Sequence, residues 1–276
     1  MRRKSNCTFK FIIFIFAFNF TVNAGAQTKE SSKQETGIFT GAVTLTTKGL
    51  STFPNLTLGK PAAILDLSMG REKLRFEPVL RFSLEGKPWS FIFWCRYELL
   101  NNEKFQFKIG AHPAYSFKSI SVIHNGTTKH VLRAQQFLAG ELAPVFKVGK
   151  NISLGPYYIY AHGMEKDIVQ NSNFISFRAN FSNINLSDNY FMRLMTQAYY
   201  LKLDADDGFY VNSTLSMNRR NFPFSVSSSM NKAIQSEIAG DNFLWNINLT
   251  YSFNTGYTSV LKPEKIKSVF LNVEDE

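Results

Sequence analysis

Charge in LRFEPVLRFSLEG, residues 74–86, falls on alternate positions: Arg75, Glu77, Arg81 and Glu85 share one parity. The run WSFIFWCRYELL, residues 89–100, repeats the separation. Arg96 and Glu98 share their parity with Ser90, Ile92 and Trp94, whereas Trp89, Phe91, Phe93, Cys95, Tyr97 and Leu99 hold the other. Lys108 and His112, Arg133 and Glu141, Arg178, Arg193 and Arg220 continue the charged series in later segments. Guanidinium and ammonium groups fixed along one face support two kinds of chemistry. They pair with carboxylates of their own chain, or they offer donors to an external anion.

Covalent chemistry has no comparable signal. Barrel lipid hydrolases use a His-x-Ser arrangement, but the residues two after His112, His124, His130 and His162 are Ala114, Gly126, Leu132 and Met164. There is no Gly-x-Ser-x-Gly elbow, no His-Glu-x-x-His metal site and no phosphate-binding loop. His162 sits beside Tyr158 and Tyr160 in YIYAHGM, where an interfacial structural role is expected. The residues therefore predict no enzyme, no catalytic residue, no metal and no cofactor.

The elements that position these charges are strands, because side chains of a pleated strand alternate between two faces. Twelve are predicted, near 38–47, 61–69, 73–85, 88–100, 104–118, 130–147, 151–162, 172–183, 190–203, 208–218, 222–233 and 243–254. Most exceed the roughly 9–11 residues that carry a tilted strand across a bilayer. The face opposite the charges is apolar: Leu74, Phe76, Leu80 and Phe82; Phe105, Phe107, Ile109, Tyr115 and Phe117; Ile175, Phe177 and Phe181; Phe209, Val211, Leu215 and Met217; Trp245, Ile247, Leu249, Tyr251 and Phe253. A soluble sandwich would have to turn all of these inward, whereas a membrane barrel turns them to lipid. Ionised groups facing lipid cost roughly 2–4 kcal/mol near the midplane, so the charged face belongs to the lumen.

Short turns near residues 70–71, 101–102, 149–150, 186–187 and 220–221 alternate with longer links at 48–60, 119–129, 163–171 and 234–242, placing both chain ends in the periplasm. Two outer links, 86–87 and 204–207, are short. If the first holds two or four residues with symmetric pairing, Glu77 faces Arg96, Arg75 faces Glu98, Phe82 faces Phe91 and Leu80 faces Phe93. Opposite charges across strands contribute about 0.2–1 kcal/mol each.

The N-terminus has the order that export requires. Basic Arg2, Arg3, Lys4 and Lys10 flank an apolar core from Phe11 to Phe20, and Ala24-Gly25-Ala26 follows. This predicts a signal peptide over 1–26, a disordered polar leader over 27–36, a barrel over 37–254 and a periplasmic tail over 255–276. Removal of 1–26 takes four basic and no acidic side chains, lowering the formal charge from +10 to +6. With no basic stripe, nucleic acid is not an expected partner. Cys7 precedes the apolar core, which excludes lipidation, and Cys95 alone has no internal disulfide partner.

From about residue 37 to 254 the chain resembles small outer-membrane β-barrel proteins of Gram-negative bacteria, the porin-like group. The final strand FLWNINLTYSF, with its Tyr251-x-Phe253 ending, looks like the assembly signal of such barrels, although that signal usually closes the chain and 23 residues follow Phe253 here. The expected protein is therefore an all-β transmembrane antiparallel barrel, a monomer in contact with outer-membrane lipid. Its expected lumen lining is Arg75, Glu77, Arg81, Arg96, Glu98, Lys108, Arg133, Glu141, Arg178 and Arg193. The excess of Arg and Lys predicts a channel for small anionic solutes. The alternatives are a closed barrel, filled by paired charges, whose outer links 50–59 and 119–129 bind a ligand or partner, and a lipid-modifying enzyme, for which the sequence carries no motif.

Overall fold

The computed structural model describes residues 36–124 and 127–258. The expected signal peptide, nearly all of the leader and most of the tail lie outside the described residues. Twelve strands follow in order: β1 (Thr36–Thr46), β2 (Ala62–Arg71), β3 (Leu74–Ser83), β4 (Pro88–Asn101), β5 (Phe105–His124), β6 (Thr127–Lys147), β7 (Ile152–Gly163), β8 (Asn171–Asn185), β9 (Tyr190–Leu203), β10 (Asp206–Arg219), β11 (Phe224–Ser236) and β12 (Phe243–Thr258). Each pairs antiparallel with its sequence neighbours, and β1 closes the ring on β12. Closure leaves no unpaired sheet edge around the wall, which a bilayer requires. The β1–β12 register runs without interruption from Thr36 opposite Thr258 to Thr46 opposite Asn248, so β12 extends past the expected end at 254.

The parity argument holds around the ring. Leu74, Phe76, Ile175, Phe177, Phe209, Val211, Leu215, Met217, Trp245, Ile247, Leu249 and Tyr251 are all exposed on the outer wall. So large an apolar exterior is untenable in water and suits hydrocarbon. Aromatic rings gather at both rims. On the side of the short turns, Phe39 meets Phe253 and Phe224 meets Tyr251, with centroids 5.8 and 5.1 Å apart. Towards the other rim, Phe91 contacts both Phe82 and Phe117, at 5.2 and 5.0 Å.

Two expectations fail locally. The β3–β4 register is displaced by two residues: Arg75 stands opposite Arg96, Glu77 opposite Trp94, Leu80 opposite Phe91 and Pro78 opposite Phe93. The cause is the link. Ser83 N–H donates to Lys87 O and Gly86 N–H to Ser83 O, enclosing a three-residue loop with Gly86 at φ 80°. An αL glycine at that position is a favoured three-residue hairpin connection. The register then shifts at Trp89, which becomes the extra residue of a bulge and turns inward to 3% exposure, against its parity. The second failure concerns 119–129, expected as an open link. β5 and β6 instead pair from Phe105–Phe146 up to His124–Thr127. Above Ser116 and Phe137 this ribbon has no third strand beside it.

The inside–outside assignment predicts a sharp asymmetry between neighbours. Leu215→Arg on the outer wall should cost about 2–4 kcal/mol in refolding into bilayers if it lies near the midplane. Thr214→Arg, on the lumen side, should cost much less. Equal losses in urea titrations of vesicle-folded protein would contradict the wall assignment.

Candidate functional site

The lumen is occupied from one side by its longest link. Residues 47–61 fold inward around a single 3₁₀ turn (Pro54–Leu56) rather than arching over the rim. Three contacts hold residues 52–56 there. Trp89 Nε1 donates to Leu56 O at 2.8 Å, Tyr199 Oη donates to Thr52 O at 3.0 Å, and the Phe53 ring stacks on Phe174 with centroids 5.8 Å apart. Phe53 thereby joins a buried apolar cluster of Tyr157, Phe174, Tyr199, Leu201, Leu203, Tyr210 and Ile238, the last from the link 237–242.

Beneath this link lies a cavity of about 370 Å³. Arg81, Arg96, Arg178, His112, Trp94 and Tyr157 are among its lining residues. A second cavity of about 200 Å³, towards the short-turn side, is lined by Arg75, Glu77, Arg96, Glu98 and Lys108, together with Glu72, Lys73 and Asn101. Arg96 borders both.

The partition between them is an ion-pair network. Arg96 Nη1 donates to Glu77, while its Nε and Nη2 donate to Glu141 at 2.5 and 3.2 Å. The Glu141 side chain is 1% exposed and also accepts from Tyr157 Oη. Ser68 Oγ donates to the other Glu77 oxygen at 3.1 Å. Arg96 lies on β4 and Glu141 on β6, so their contact must cross β5. It crosses at Gly110, where a Cβ would sit 2.8 Å from Glu141 Oε1 and 3.1 Å from Arg96 Cγ. The Arg96 guanidinium also covers the Trp94 ring at 4.0 Å, and Trp94 in turn packs on His112.

The predicted lining residues thus divide. Arg75, Glu77, Arg96, Glu98 and Lys108 converge on the lower cavity, and Arg81, Arg96 and Arg178 on the upper. Glu77 meets Arg96 as expected, but diagonally. Glu98 does not meet Arg75, because the displaced register puts it among Gln106 and Asn101, both of which donate to it. Arg193 borders neither cavity and lies 5.3 Å from the Phe191 ring. Arg133 is not a lumen group: high on β6, it forms a two-pronged pair with Asp167 of the link 164–170 at 2.5 and 2.6 Å. Asp66, whose lumen-side parity in AAILDLSMG is legible, and Tyr157 were not among the expected lining residues; Trp89 was expected on the lipid face, and residues 50–59 only as an outer link of a partner-binding barrel.

Among the described residues no three metal-ligating side chains converge. Ser121 Oγ and His130 Nδ1 lie 3.2 Å apart on the exposed β5–β6 ribbon, with no carboxylate bonded to that imidazole among the described residues. A hydrolytic triad needs such an orienting group.

Two outcomes follow. Glu141→Ala leaves Arg96 half-paired and Tyr157 without its acceptor, and should destabilise the barrel by about 3–5 kcal/mol in bilayer unfolding titrations. At the rim, the hydrogen-bonded Arg133 guanidinium holds the Asp167 carboxyl below its ordinary value. That pairing is present above the ordinary carboxylate range and is lost as pH falls through the lowered value. A side-chain NMR titration should show the low midpoint, and Arg133→Gln should return it to the ordinary range.

No protein-family model and no curated protein matches the chain. Among solved structures it is similar to an outer membrane channel from Pseudomonas putida F1, at 10% identity over 82% of this chain and 99% of that one, with a TM-score of 0.46. It is also similar to the KdgM porin in complex with disordered oligogalacturonate, at 8% identity over 78% and 99%, TM-score 0.45. For the NanC porin the values are 10% over 79% and 98%, TM-score 0.45. These likenesses are of overall architecture, and the roles of individual residues rest on this chain alone. An even-stranded closed sheet, an apolar wall girdled by aromatics, a charged lumen and short turns on one rim define the outer-membrane type of β-barrel, and that is the fold of this chain.

Proposed function

We propose that the mature chain, with residues 1–26 removed on export, is a monomeric passage for small anionic solutes in the bacterial outer membrane. The observation that carries this reading is the state of the lumen arginines. Arg96 is neutralised by two carboxylates, but Arg81 and Arg178 line the upper cavity with no carboxylate within ion-pair distance among the described residues. Arg81 lies over the Trp89 ring, at 5.2 Å. Arg178 lies over Tyr157 and donates to Gln197 Oε1 at 3.2 Å. Fixed cations in a narrow lumen favour anions, as charged rings do in selective pores. The inward-folded link 47–61 is the constriction, its innermost residues 52–56 tethered by hydrogen bonds to Trp89 and Tyr199 and by the Phe53–Phe174 ring contact.

A second reading, a barrel that binds a partner through its outer links, is favoured by the β5–β6 ribbon. Its upper part exposes Ile120, Val122, Ile123 and Val131.

Single-channel recording in planar bilayers separates the two. The passage reading expects conductance that rises when residues 51–58 are replaced by a short turn and an anion preference that falls in Arg178→Glu. It expects little change when residues 118–132 are shortened. Absence of conductance both in the native barrel and in the 51–58 replacement would leave the partner-binding reading.

A further inference from the structure

The upper cavity carries more chemical detail than a pore lining requires. Among the described residues, six buried side-chain polar atoms lack a hydrogen-bond partner, and four belong to residues of this one cavity: Asn55 Oδ1, Arg81 Nε, Ser90 Oγ and His112 Nδ1. They come from different parts of the chain, namely the inward-folded link, β3, β4 and β5. Buried polar groups are almost always paired, because leaving one unpaired forfeits its hydration without return. These four atoms are themselves sealed within the protein, so what the cavity offers a guest is the remaining polar groups of the residues that border it, above all the guanidinium of Arg81. Arg178, on the opposite arc of the wall, adds a guanidinium that donates to the Gln197 amide oxygen and lies over the Tyr157 ring.

Much of the remaining lining is apolar. Phe53 and Leu56 from the link, and Ile92, Phe137, Ile159 and Phe174 from the wall, border the same space. A volume of about 370 Å³ falls within the range of sites for small organic ligands. Charge limits the guest further. Asp66, Glu77 and Glu141 stand on the lumen side of β2, β3 and β6 and offset Arg81, Arg96 and Arg178, although none of the three carboxylates borders the upper cavity. A dianion would meet about twice the repulsion from them that a monoanion meets.

We infer that the cavity beneath residues 47–61 is a binding site for a small monocarboxylate with a compact apolar body, such as an aryl acid. Its carboxylate is held by Arg81 and Arg178. The body packs against Phe53, Phe174 and the aliphatic wall. This assignment rests on the lumen being open to anions, as proposed above, and it adds recognition to selectivity by charge.

The test is calorimetric titration of the detergent-folded mature barrel with benzoate, with benzyl alcohol as its neutral counterpart, glucuronate as an anion with a polar body, and inorganic phosphate. Saturable binding is expected for benzoate, with the other three markedly weaker. Arg81→Gln and Arg178→Gln should each loosen benzoate by about tenfold or more, the loss of a charge-assisted hydrogen bond. A heat-modifiable gel shift establishes that each variant is folded, and the comparison of ligands on the unsubstituted protein needs no variant at all. No saturable benzoate binding to folded protein would overturn the site and leave a solvent-filled cavity. So would equal binding of benzyl alcohol, tighter binding of glucuronate, or unchanged affinity in both arginine variants. Binding without conductance would retain the site and remove the passage reading; conductance without binding would do the reverse.

Discussion

The pairing of Arg96 with both Glu77 and Glu141 is the constraint around which the lumen is organised. It joins β3, β4 and β6 directly and β7 through Tyr157, so one guanidinium ties together four strands of the wall. Such a cluster is costly to bury unless every partner is met, and here the remaining acceptor capacity of the carboxylates is taken up by Ser68 and Tyr157. Gly110 is the condition for it. A side chain on β5 at that position would fill the gap that lets Arg96 and Glu141 meet. The network therefore forms only if β4, β5 and β6 are in correct register, which makes it a check on assembly as much as a source of stability.

Above this floor the lumen is filled by different physics. Phe53 on Phe174, and Tyr199 stacked on Tyr210 at 4.8 Å, build an apolar core inside the barrel, with Ile238 contributed by another link. The bulge at Trp89 couples this core to the wall. It reverses the direction of one side chain so that its indole N–H reaches Leu56 O. Without the extra residue, Trp89 would face lipid and residues 52–56 of the inward link would lose one of the hydrogen bonds that hold them to the wall.

The wall was legible in the sequence because it depends on period alone. Side-chain alternation survives any even shift of register, so Leu74, Phe76, Ile175 and Trp245 were placed outside correctly although the β3–β4 pairing moved by two residues. What failed depended on odd events. A three-residue loop in place of two or four, and one bulged residue, displaced Glu98 from Arg75 and turned Trp89 inward. The Arg96–Glu77 contact survived because long side chains reach diagonal as well as direct neighbours across strands. The inward path of residues 47–61 had no local signal. The polarity of STFPNLTLG, residues 51–59, and Pro54 suit an exposed loop equally well, and only the ring of aromatics that Phe53 joins, drawn from β7 to β10, makes the interior the better place.

These two layers bear on what can pass. Below Arg96 the lining holds both signs of charge close together, so its net field is weak and its polarity high. Above it, Arg81 and Arg178 face an apolar surround, where each unpaired cation acts through little intervening water. Discrimination between anions therefore falls to the upper layer, and the lower one serves as a polar exit. The link 47–61 is held by contacts to the wall of that same upper layer, so displacing it removes Phe53, Asn55 and Leu56 from the lining as it widens the opening. Selectivity and conductance are thus opposed in this architecture: any state that admits solutes more freely has given up part of the surface that recognises them.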